Sequence, residues 1–122
     1  MPAPDRNAGL AGEPFGARTT ASIAPLELER RLVEGEELVL VDVREVEDFA
    51  QGHLPGAISL PPGQWPVGEG LHRDVCNVLY GDSHAGHLAA TAAAELAGRG
   101  YPVLELAGGI EAWKADRLPL ER

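Results

Sequence analysis

The stretch that most constrains the fold is 38–43, Leu-Val-Leu-Val-Asp-Val, in which five of six residues are apolar. A strand with one wet face alternates polar and apolar residues. An unbroken β-branched and leucine run therefore argues for a strand covered on both faces, as in parallel sheets. Parallel neighbours need crossover connections, and the chain supplies segments with helical periodicity between its apolar runs.

Ile23 predicts a short first strand. Pro25 suits the first turn of a helix whose Leu28 and Leu32 share one face, and Gly35 stops it. Residues 45–51 predict a short helix with Val46, Phe49 and Ala50 facing inward and Gly52 as its stop. A third strand follows at 57–60, after which Pro61, Pro62, Gly63, Pro66, Gly68 and Gly70 enforce a loop. Residues 75–80 predict a fourth strand. Leu88, Ala92 and Leu96, with Ala89 and Ala93 beside them, draw an apolar stripe on a helix starting near Ala85 and ended by Gly100. A fifth strand at 103–106 precedes a last helix carrying Ile110 and Trp113 on one face. Alternating strands and helices predict an α/β sandwich around a parallel sheet.

Residues 1–21 are rich in Ala, Pro and Gly without periodicity, which predicts a disordered leader; 22–122 form one domain of a size that holds a core unaided. The single cysteine, Cys76, excludes an internal disulfide and an all-cysteine zinc site, and suits a reducing cytoplasm. No apolar run reaches the ~20 residues of a membrane span. The net charge of −9 lies outside the leader, where Asp5 and Glu13 cancel Arg6 and Arg18. Such a surface repels phosphate backbones and anionic lipid and favours a basic partner protein.

Three strings, LVDVREVEDFAQGHLPGAISLP at 40–61, VLYGDSHAGHLAATAAAELAGRGY at 78–101 and LAGGIEAW at 106–113, together resemble the rhodanese homology domain. The resemblance covers roughly 22–118 and implies a five-stranded parallel sheet between helices, a rhodanese-like α/β/α sandwich with the active loop after the fourth strand. In that family the loop begins with a cysteine that carries a persulfide, while backbone N–H groups and an arginine hold the sulfur and the anionic substrate. Here the residue after Val78-Leu79-Tyr80 is Gly81; counting back from the helix instead aligns Ser83 with the nucleophile. Neither register supplies a thiol, and a serine hydroxyl cannot form a persulfide. The missing thiol therefore predicts a catalytically inactive domain that binds or regulates, with no cofactor expected; the alternative is a sulfurtransferase-related enzyme using the altered loop at Gly81 to His87.

The degenerate loop comprises Gly81, Asp82, Ser83, His84, Ala85, Gly86 and His87. From Asp74 to Gly98 there is no lysine or arginine. Backbone amides at the following helix start remain as donors for an anion or partner, strengthened below pH ~6.5 if His84 and His87 protonate. Cys76, about 16 Å upstream of Gly81 along an extended strand, cannot reach the loop and reads as a small buried hydrophobe that maleimide should not label under native conditions. The resemblance also assigns Asp42 and Arg44 to tying the end of the second strand to neighbouring loops, and His53 to a structural turn. His72 reads as a surface residue, and Gly108 and Gly109 as backbone permissiveness before the last helix. Trp65, among prolines and glycines, is either an interface anchor or a lid over the core.

Two further chemistries fit parts of the loop. Gly81-Asp82-Ser83-His84-Ala85 resembles a nucleophile elbow, which would make the chain a serine hydrolase, but no histidine follows His87 to complete the usual triad. His84 and His87 sit at a metal-ligand spacing with only Asp82 as a third candidate, so no metal is expected.

Overall fold

A computed structural model describes residues 21–64, 71–83 and 87–122. In chain order the elements are β1 (Ser22–Ile23), α1 (Pro25–Val33), β2 (Leu38–Asp42), α2 (Val46–Gln51), β3 (Ile58–Ser59), β4 (Cys76–Tyr80), α3 (Leu88–Ala97), β5 (Val103–Leu106) and α4 (Gly109–Ala115). The strands form one five-stranded sheet in the order β1-β5-β4-β2-β3, every pair parallel. The unbroken run of β2 is explained by its place: it lies between β4 and β3, so both its edges and both its faces are covered.

Alternation along the strands divides the core in two. Leu40, Val78, Tyr80 and Leu106 point to the face covered by Leu28 of α1 and by Ile110 and Trp113 of α4. Val41, Val43 and Leu79 point to the opposite face, where Ala92, Ala93 and Leu96 of α3 close over them. Small alanines bring α3 close to the sheet, and the predicted stripe of that helix is its buried face.

Several expectations are corrected. The helix expected near Ala85 begins at Leu88, after His87 adopts a left-handed φ of 54°. Val46 and Ala50 of α2 are exposed and only Phe49 turns inward, where its ring stacks on His53 with centroids 3.8 Å apart. Ala21 belongs to the folded part, since its carbonyl accepts the Glu105 N–H at 3.0 Å. Residues 1–20, to which most of the leader expectation applies, lie outside the described residues, as do Trp65, His84, Ala85 and Gly86.

Candidate functional site

Parallel strands all deliver their carboxyl ends to one rim of the sheet, where ligands bind in open α/β folds. Tyr80 ends β4 level with Asp42 of β2, and Gly81 follows immediately, buried. A cleft of about 320 Å³ opens there, lined by Gly81, Ser83, His87, Ala89, Glu105 and Gly109 among others. No lysine or arginine lines it among the described residues. A Cβ placed on Gly81 would meet the Ala89 amide nitrogen at 3.7 Å and the Leu88 Cβ at 3.8 Å, ordinary contact distances. The missing side chain at Gly81 would thus face the first turn of α3, whose first intrahelical bond runs from Thr91 N–H to the His87 carbonyl.

The loop is gripped from α4. Ile110 N–H donates to the Gly81 carbonyl at 3.0 Å and Glu111 N–H to the Asp82 carbonyl at 2.9 Å. The Asp82 side chain is exposed, with its carboxylate 3.9 Å from Arg44 Nη1. Ser83 is half-buried, and among the described residues no hydrogen bond ties its hydroxyl to a histidine or carboxylate.

Beneath the loop, Asp42 and Arg44 form a buried ion pair: Arg44 Nη2 donates to Asp42 Oδ2 at 2.7 Å and Nε to Oδ1 at 3.0 Å. Nη2 also reaches the Gly52 carbonyl at 2.7 Å, so the pair ties the end of β2 to the end of α2. Burial opposes the Arg44 charge, but the Asp42 hydrogen bonds and charge prevail and hold its pKa above the ordinary value. The guanidinium carbon sits 5.9 Å from the centroid of the Tyr80 ring. Tyr80 is fully buried and its hydroxyl accepts the Leu54 N–H at 3.0 Å. Burial and the Asp42 carboxylate push its phenol well above the usual range, so it stays protonated. Through these contacts Asp42 and Arg44 bridge the end of β2 to α2 and to the Tyr80 ring.

The His53 backbone pairs in both directions with Glu121, and its Nδ1 lies 2.9 Å from the Phe49 carbonyl. His72 is exposed. Cys76, expected to be buried, is only half-buried because it opens β4 at the far end of the strand, opposite Leu38, and burial still pushes its thiol up. Among the described residues no three His, Cys, Asp or Glu side chains cluster as metal ligands, and no helix is long and apolar enough to cross a membrane.

Sequence reasoning missed Tyr80, Asn77 and the grip of α4. Asn77 is fully buried in β4, and its amide donates to the His72 carbonyl at 2.8 Å and the Pro102 carbonyl at 2.9 Å. A polar residue inside an apolar run was the available signal for it. For α4 the signal was the Gly108-Gly109 pair at the start of the helix.

The sequence profile of the rhodanese-like domain matches residues 24–116. The chain belongs to this family. A sulfurtransferase of Allochromatium vinosum is 37% identical over 95 residues, which are 76% of this chain and 87% of that relative. The probable adenylyltransferase/sulfurtransferase MoeZ of Mycobacterium tuberculosis is 34% identical over 113 residues, covering 90% of this chain, which spans 29% of MoeZ. Among solved structures, the BH2092 protein of Bacillus halodurans superimposes with a TM-score of 0.78 at 29% identity, covering 88% of this chain and 80% of that one. The five-stranded parallel sheet between helices is the rhodanese-like α/β fold.

Proposed function

We propose that this rhodanese-like domain carries no sulfur itself and acts as a binding or regulatory module, taking a basic partner protein. The observation that carries the reading is Gly81: it follows β4 directly, faces the first turn of α3 and has no side chain. Sulfane transfer from thiosulfate requires a thiolate that accepts the outer sulfur as sulfite leaves and then passes it to cyanide as thiocyanate. The one cysteine of the chain sits at the opposite end of the strand, half-buried, with a thiol that burial makes a poorer thiolate.

The absence of lysine and arginine from the described cleft lining disfavours an anionic substrate, and the acidic surface favours basic partners. A reducing, cytoplasmic setting suits a protein with one unpaired cysteine. The test is a thiosulfate:cyanide assay of the wild type beside Gly81→Cys, whose Cβ has room. The expected result is no turnover in the wild type and measurable turnover in the variant. Wild-type turnover abolished by Cys76→Ser would overturn the reading.

A further inference from the structure

We infer that Gly109 is a positioning residue for the 81–83 loop, and that the Gly-Gly turn before α4 shapes the candidate site as well as starting the helix. This rests on that loop being the candidate site, whether or not it is catalytic.

Gly108 and Gly109 both have left-handed φ angles, +75° and +61°. A side chain at either would strain the backbone, but the space around them differs. A Cβ on Gly108 would run into the Ala112 Cβ at 2.6 Å, a contact inside the α4 turn. A Cβ on Gly109 would lie 2.6 Å from the Gly81 carbonyl oxygen, 2.9 Å from the Asp82 carbonyl carbon and 2.9 Å from the Ser83 nitrogen. All three atoms are backbone and belong to the loop, so no rotamer change relieves the overlap. The approach that forbids a side chain at Gly109 also makes the hydrogen bonds: Ile110 N–H to Gly81 and Glu111 N–H to Asp82. Those two donors are among the N-terminal amides of α4 that lack intrahelical acceptors, so the helix start and the loop satisfy each other. Gly109 thus sets where the Gly81 Cα stands against α3, and hence what a ligand or side chain there meets.

The test uses the full chain, ¹⁵N-labelled, as wild type and three variants. Gly109→Ala should displace the amide resonances of residues 81–83 and speed hydrogen exchange at Ile110 and Glu111 by at least about tenfold. Gly35→Ala carries comparable strain at φ +86° with nothing within 4 Å, and should leave the loop resonances in place. Gly108→Ala should perturb α4 without moving residues 81–83. If Gly109→Ala fails to fold, judged by loss of the Trp113 Nε1–H resonance, Glu111→Pro removes one donor at a first-turn position and should move Asp82 and Ser83 alone. Unmoved loop amides in a folded Gly109→Ala or Glu111→Pro protein, or equal displacement by Gly35→Ala, would overturn the inference. On a Gly81→Cys background, Gly109→Ala should lower thiosulfate turnover at least about tenfold while Gly35→Ala does not. If Gly81→Cys shows no turnover, a thiol at Gly81 does not restore sulfur transfer on this scaffold, and the spectra alone decide the role of Gly109.

Discussion

Tyr80 joins three parts of the molecule: its backbone pairs with β2, its hydroxyl holds the Leu54 amide and its ring lies under Arg44. Tyr80→Phe leaves the Leu54 N–H without its acceptor and should cost about 1–3 kcal/mol at pH 7, read by urea denaturation. The phenol also gives stability a sign on pH. It is held protonated in the fold above its ordinary value of 10.0, whereas the unfolded chain releases that proton once pH passes 10. Stability is therefore fully present below pH 10 and declines above it. The half-buried Cys76 thiol, also raised, adds a decline above its ordinary 9.0. Denaturation midpoints from pH 8 to 11 should fall in the wild type and fall less in Tyr80→Phe; parallel curves would contradict the assignment. Asp42→Ala strands the buried Arg44 guanidinium and should cost about 3–5 kcal/mol by the same measurement.

Three helices end in the same way, and the residue at the turn decides how legible each end is. In α1, Gly35 at φ +86° donates to the Leu32 carbonyl while Glu36 donates to Arg31, and past α3, Gly100 at φ +94° and Tyr101 repeat the pattern with Ala97 and Leu96. Both glycines mark their turns in the sequence, because only glycine takes that conformation without cost. After α4 the left-handed position is Arg117 at φ +60°, donating to Lys114 while Leu118 donates to Trp113. Nothing in an arginine signals such a turn. Arg117→Gly should stabilise the domain by about 0.5–1 kcal/mol, seen as a raised midpoint of thermal unfolding. An unchanged or lower midpoint would mean that other contacts of Arg117 outweigh the strain. The start of α3 was illegible for a related reason: no Ser, Thr, Asp or Asn stands at its cap, and His87 turns the chain instead. The inward face assigned to α2 failed because six residues make too little of a helix for periodicity to specify, and the Phe49–His53 stack holds it.

At the scale of the whole molecule, the all-parallel order β1-β5-β4-β2-β3 puts Asp42 and Gly81 on one rim and Cys76 on the other. Strand pattern and motif order made that architecture legible, because covered parallel strands leave unbroken apolar runs. The grip of α4 on the loop was not legible, since backbone hydrogen bonds between distant segments leave only a pair of glycines as their trace. The charges around the loop likewise emerge only on folding: beyond Asp82 lies a second cleft whose described lining balances Arg44, Lys114 and Arg122 against Asp48, Asp82 and Glu111. The proposed lack of sulfur chemistry rests on the strand end that carries Gly81 and not on the fold. Intact-mass spectrometry after incubation with thiosulfate tests that most directly. The wild type should keep its mass while Gly81→Cys gains one sulfur atom; a wild-type protein that gains a sulfur on Cys76 would contradict it.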